Sequence, residues 1–212
     1  MKQEISEPEN RTRRIEAFSD GVFAIAITLL ILEIRPPDIG SSDQPIMLGK
    51  ALLNQWPSFA AYIFSFLMIG IYWANHHYLW RFYKRIDHTF ILLNLLFLMC
   101  ICFLPYPTEL LAIFMNKPVM YIDAAKFYEI GLLLPAVTWF MAWKYASSNY
   151  RLIDRNLKQS FVNGLTRLYL LSIPIYGVAF AVSCFKARIG LIVAFLLTLS
   201  YLRPPKEPEY RS

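Results

Sequence analysis

Arg14, Ser19 and Asp20 stand at the start of an apolar run that extends to Ile34, and no other residues of the chain are placed more suggestively for chemistry. Polar groups inside or beside such a run are costly and usually functional. Two roles suit them. Ser or Asp ahead of an apolar helix is a common N-cap that takes up the unpaired amides of the first turn. Alternatively, since Arg13 to Phe18 is itself helix-forming, the pair lies inside the span and needs partners on another helix, with Trp73, His76 and His77 as candidates. Asp20 lies six positions after Arg14. That is about 600° of helical rotation, too poorly aligned for a bridge within one straight helix.

The same run carries a second pattern. At about 100° per residue, Ile25, Leu29 and Leu32 fall on one stripe with Thr28 beside them and Gly21 and Phe18 continuing it, while Asp20 points to the opposite side. The stripe is compatible with packing, with lipid or with a pore lining. Thr28 either bonds back to the Ala24 carbonyl, a routine arrangement for Thr in an apolar helix, or offers its hydroxyl to a passing ion. Periodicity leaves both alternatives open.

Enzymatic motifs are absent: there is no Gly-x-Ser-x-Gly elbow, Walker loop, His-Glu-x-x-His helix or dinucleotide glycine pattern. His76 and His77 are adjacent and diverge by about 100° on a helix, and His88 lies beyond a basic loop, so a joint metal site is not favoured. Cys100, Cys102 and Cys184 read as buried free thiols, because a Cys-x-Cys pair on a helix splits its sulfurs between faces.

The elements that must position these residues follow from composition. Of 212 residues 57% are hydrophobic and only 17% charged, far from soluble averages. About six segments are long and apolar enough to cross the roughly 30 Å hydrocarbon core. The expected architecture is all-α, an integral membrane protein of six transmembrane helices. Residues 1–12 form a cytoplasmic N-terminal segment, 13–203 the six-helix unit and 204–212 a disordered cytoplasmic tail. Helix one covers 13–34 and stops at Pro36 and Pro37; helix two covers 48–81, interrupted by Pro57. Helix three covers 88–103 with continuation past Pro105 and Pro107, helix four 119–145 with a kink at Pro135, helix five 161–185 and helix six 187–202. The first run is expected to be retained rather than cleaved as a leader, because Glu16 and Asp20 interrupt its basic flank and no small-x-small site follows.

The net charge of +6 reports orientation here rather than nucleic acid. Basic residues gather in alternate connections: Lys2, Arg11, Arg13 and Arg14; Arg81, Lys84 and Arg85; Lys144, Arg151, Arg155 and Lys158; Arg203, Lys206 and Arg211. Both termini are therefore expected in the cytoplasm of a multi-pass cell-membrane protein.

Arg14-x-x-x-Phe18-Ser19-Asp20 followed by GVFAIAITLLILEI resembles the signature of the transmembrane protein 175 family, prokaryotic potassium channel branch. The lysosomal relatives carry two copies of the unit in one chain. The length, the six spans and WANHHYLWR near the end of helix two agree with it. The resemblance implies a potassium channel, weakly selective over sodium, assembled as a homotetramer with first helices around a central pore and lacking a TVGYG-type carbonyl filter. It places the pore constriction at Ile25, with Leu29 and Leu32 as further apolar pore positions, and a selectivity layer at Thr28. Arg14, Phe18, Ser19 and Asp20 with Trp73 and His77 would form a structural network. Potassium near Ile25 and Thr28 is the permeant; no cofactor is implied. Glu33 near the outer mouth would concentrate cations. The rival readings are a proton-coupled or other secondary transporter with Asp20 and a helix-two histidine as relay, and a membrane enzyme or assembly factor.

Overall fold

A computed structural model describes residues 7–37, 45–202 and 207–211 and, within them, side chains other than those of 7–10 and 45–47. The described residues form helices α1 (Glu7–Leu29), α2 (Pro45–Asn54), α3 (Trp56–Trp80), α4 (His88–Phe103), α5 (Pro105–Phe114), α6 (Pro118–Ser147) and α7 (Gln159–Ser200), with a 3-10 turn, Leu30–Glu33, extending α1. Among them there is no strand, only isolated bridges between Tyr83 and Ile153 and between Leu157 and Tyr210.

Among the described residues four stretches are long and apolar enough to cross a membrane: Arg11–Glu33, Trp56–Trp80, His88–Phe114 and Gln159–Ser200. The last, at 42 residues, is about twice the length one crossing needs. It breaks at Lys186, where φ −142° and ψ 81° leave the helical region, giving two arms. Helix α6, 30 residues long, also has the length but carries Asp123, Lys126, Glu129 and Lys144. With α6 and both arms of α7 counted, six crossings fit.

Prolines act mostly as helix starters. The interruption expected at Pro57 falls instead at Gln55, since Pro57 occupies the first turn of α3, where its missing N–H costs nothing. Helix three likewise resumes at Pro105 as α5. Helix one begins at Glu7, earlier than the expected residue 13.

One aromatic core joins the bundle. The Phe97 ring of α4 lies 6.0 Å from Phe23 of α1, 5.7 Å from Tyr72 of α3 and 5.1 Å from Trp139 of α6. Gly131 of α6 admits the Pro107 ring of α5, which a Cβ there would meet at 3.0 Å.

The basic connections share one end of the bundle. Asp154 N–H donates to Phe82 O, Lys84 N–H to Leu152 O, Lys158 N–H to Glu209 O and Arg211 N–H to Asn156 O. Residues 207–211, within the tail expected over 204–212, lie alongside the 150–158 connection through these bonds. Arg211 lies over the Tyr150 ring at 5.1 Å and donates to its hydroxyl. Residues 203–206 and 212, like 1–6 of the N-terminal segment, lie outside the described residues. The cysteines also differ from expectation. Only Cys100 is buried; Cys102 and Cys184 are exposed, because their positions on α4 and α7 face away from the neighbouring helices.

Candidate functional site

Helix α1 has two faces of opposite character. Ser19, Phe23, Ala26 and Leu30 are buried against α3 and α4. On the other face Phe18, Ile25, Thr28, Leu29 and Leu32 are exposed, Ile25 by 59% and Leu32 by 69%. Among the described residues no element covers this face, and a contiguous apolar strip of this kind is a place for another surface. The 3-10 turn after Leu29 tightens the winding to about three residues per turn, which stacks Leu32 above Leu29.

Thr28 sits within that strip. Its hydroxyl lies 2.9 Å from both Ala24 O and Ile25 O and donates into the helix backbone. The proton is thus committed inward and the oxygen lone pairs remain outward, a polarity that suits a cation.

The buried face is tied down by two polar strips. In the first, Asn94 of α4 donates through Nδ2 to Ser19 Oγ at 2.9 Å, and Ser19 donates in turn to Ile15 O at 2.9 Å. Asn94 Oδ1 lies 3.1 Å from His76 Nε2, to which the Trp80 indole also points at 2.9 Å. An indole N–H only donates. Nε2 of His76 therefore accepts from Trp80 and cannot also donate to Asn94 Oδ1, so that 3.1 Å approach is a contact and not a hydrogen bond; His76 Nδ1 has no hydrogen-bond partner among the described residues. In the second strip Trp73 Nε1 donates to Asp20 Oδ1 at 3.0 Å, the Trp73 ring stacks on His77, and His77 Nδ1 pairs with Glu16 Oε1 at 3.2 Å.

Ser19 is thus bonded to Asn94 of α4, and Asp20 to Trp73 of α3, while His77 of α3 pairs with Glu16 of α1. Ser19 is no N-cap: it is buried a dozen residues inside α1 and bonds its own preceding turn. Arg14 and Phe18 are not in either strip. Arg14 has no polar partner among the described residues and Phe18 is exposed. Asp20 is not bonded to a histidine, so a direct relay between them is not assembled. Asn94 was legible in the sequence only as an isolated polar residue in an apolar helix, and Glu16 only as an acid interrupting a basic flank. Glu33, at the far end of α1, neighbours Glu109 and Arg35, and Arg35 pairs with Glu109 at 2.9 Å.

A second buried polar pair lies away from α1. Ser183 Oγ of α7 donates to Glu129 Oε1 of α6 at 2.7 Å, and Glu129 Oε2 has no partner. Gly190, on the other arm of α7, makes room for this pair: its Cβ would sit 2.8 Å from Glu129 Oε1 and 2.5 Å from Ala179 O.

Comparison with known proteins places these features in a lineage. Residues 14–105 match the family described as "Endosomal/lysosomal potassium channel TMEM175". A potassium channel of Chamaesiphon minutus is 38% identical over 193 residues, covering 91% of this chain and 94% of its own. One of Streptomyces collinus is 37% identical over 192 residues, covering 91% and 92%. The crystal structure of a lysosomal potassium-selective channel TMEM175 homolog from Chamaesiphon minutus superposes with a TM-score of 0.79 at 37% identity over 91% of this chain and 97% of that one.

Proposed function

The chain belongs to the TMEM175 family of ion channels, which are not enzymes, and from that premise we propose that it forms a homotetrameric potassium channel of the cell membrane whose pore is lined by the exposed face of α1. The observation that carries this reading is the division of α1. Its polar residues Ser19 and Asp20 bind the helix to α3 and α4, while Ile25, Thr28, Leu29 and Leu32 face outward together. A closed ring of four identical copies is a common way to cover one such strip per chain. It would bring four Ile25 side chains about an axis.

In that assembly the Ile25 ring narrows and dewets the path, so hydrated ions pass only when it widens. Four Thr28 oxygens lie one turn further along. Potassium loses its hydration water more readily than sodium, so an apolar ring followed by hydroxyl oxygens favours it without a cage of carbonyls. Discrimination is weaker than a carbonyl filter gives. Both termini face the cytoplasm, in keeping with the basic residues at that end.

The test is potassium flux from liposomes holding the purified protein. Potassium efflux that collapses a valinomycin-independent gradient is expected, together with raised leak in Ile25→Asn. Absence of flux from protein that elutes as a tetramer, or crosslinks showing that Ile25 of different copies never approach, overturns the reading.

A further inference from the structure

Below the apolar strip, the same face of α1 turns basic. Counting back from Ile25 at about 100° per residue, Phe18, Arg14 and Arg11 all lie within about 40° of it. Arg14 and Arg11 stand roughly 16 and 21 Å along the helix from Ile25. Both are exposed. Neither has a hydrogen bond or ion pair among the described residues, in contrast to the Arg35–Glu109, Lys84–Asp154 and Lys158–Glu209 pairs.

The two arginines line an open hollow of about 550 Å³ between α1 and the start of α4, with Ile15 and Phe18 on its floor and Asp87 and His88 opposite. Asp87 keeps its charge in this hollow, but both of its oxygens are turned to other donors and it makes no ion pair with either arginine. Its Oδ1 accepts the Phe90 N–H at 2.8 Å as the cap of α4, and its Oδ2 accepts the Tyr145 hydroxyl at 2.8 Å, which Arg151 also approaches at 3.3 Å. Exposed guanidinium groups on the face of α1 read as pore lining repel the permeant ion, most strongly at low ionic strength. A guanidinium fork matches the oxygens of a phosphate in pairs.

We propose that this hollow is a phosphate site: a phosphate group, carried by a soluble polyphosphate or by an anionic lipid headgroup, binds Arg11 and Arg14 and neutralises a basic ring at the inner mouth. The second half of the statement rests on the reading of α1 as pore lining; the binding itself does not. Without the anion the ring depletes potassium at the inner mouth, and with it conduction rises.

Two measurements test this. First, inorganic triphosphate is titrated into the detergent-purified full chain by calorimetry. Saturable binding that weakens with added salt is expected, with loss of binding in Arg11→Gln/Arg14→Gln and retention, at lower affinity, in Arg14→Lys. Equal binding by wild type and the double variant, or none by either, overturns the site.

Second, potassium flux is compared in phosphatidylcholine vesicles, in the same vesicles with triphosphate on both sides, and in vesicles containing phosphatidylglycerol. At low ionic strength either addition should raise wild-type flux on the order of threefold, and less at high salt. The double variant should conduct at the raised level throughout. A response to triphosphate alone assigns the site to a soluble anion, and a response to phosphatidylglycerol alone assigns it to lipid. Wild-type flux indifferent to both overturns the neutralisation. Should the double variant fail to elute as wild type does, Arg11→Gln and Arg14→Gln singly must each weaken triphosphate binding, and unchanged binding in both overturns the site. A wild-type chain that carries no potassium in any vesicle defeats the channel reading, while calorimetry still decides the phosphate site.

Discussion

Asn94 of α4 donates a hydrogen bond to Ser19 of α1 across 2.9 Å, at a point where both residues are buried. This bond ties the helix with the open apolar face to the body of the protomer. Removing the amide leaves the buried Ser19 Oγ without its donor. Asn94→Ala should therefore cost about 1–3 kcal/mol of stability. Thermal unfolding of the detergent-purified protein, followed by loss of the folded elution peak, measures it; an unchanged midpoint would discount the bond as a determinant of stability.

Asp20 accepts from Trp73 on the second polar strip, on the side of α1 away from Ile25. Asp20→Ala should impair folding or assembly and leave the reversal potential of the surviving channels in place. An intact tetramer with altered selectivity would contradict the structural role. Recordings and elution profiles on the same preparation separate the two.

Thr28 is the polar member of the exposed strip, with its proton held by the backbone. Thr28→Ala removes the outward oxygen while keeping the helix, whose backbone carbonyls still accept their own amides. The potassium-to-sodium permeability ratio should fall, roughly twofold or more. Reversal potentials under bi-ionic conditions report it directly, and no shift would exclude Thr28 from selection.

Gly190 lies where the two arms of α7 and the Glu129 carboxylate meet. Its backbone is ordinary helix, so the need for glycine is spatial: a Cβ would overlap the Ser183 hydroxyl and crowd Ala179 O and Glu129 Oε1. Gly190→Ala should destabilise by about 1–3 kcal/mol through forced displacement of these groups. Adding Ser183→Ala opens space for the new methyl and should recover part of that loss in the same thermal assay. A double variant less stable than Gly190→Ala alone would show that the lost Glu129 hydrogen bond outweighs the steric conflict.

The Tyr150 backbone has φ 52°, a left-handed conformation that is uncommon for a bulky residue. Its hydroxyl donates to Leu157 O at 2.9 Å, and Arg211 covers the ring. Deleting residues 207–212 removes that cover along with the Lys158–Glu209 and Arg211–Asn156 backbone bonds. A small fall in thermal midpoint and faster proteolysis near residue 150 are expected; unchanged proteolysis would mean the tail is not what holds this loop.

Much of this protein was written locally. Apolar runs about the length of a bilayer crossing, and the alternation of basic connections, are properties of single segments, so the all-helical membrane architecture could be read without knowing any contact. The stripe of Ile25, Thr28, Leu29 and Leu32 was equally local, since a 100° step per residue decides which side chains share a face of one helix. Other matters depended on how helices meet. Ser19 and Asn94 are 75 residues apart, and only the packing register of α1 against α4 decides that an isolated asparagine completes the hydrogen bonding of a buried serine. The same register leaves Arg14 outside the polar strips although it belongs to the same short motif. The packing of α6 against α7 likewise sets Glu129 against Ser183 and Gly190, residues of no periodic pattern. Periodicity orients a side chain about its own helix axis; which atom waits on the other side is decided by the tertiary structure, because burying a polar group is tolerable only where a partner on another element reaches it.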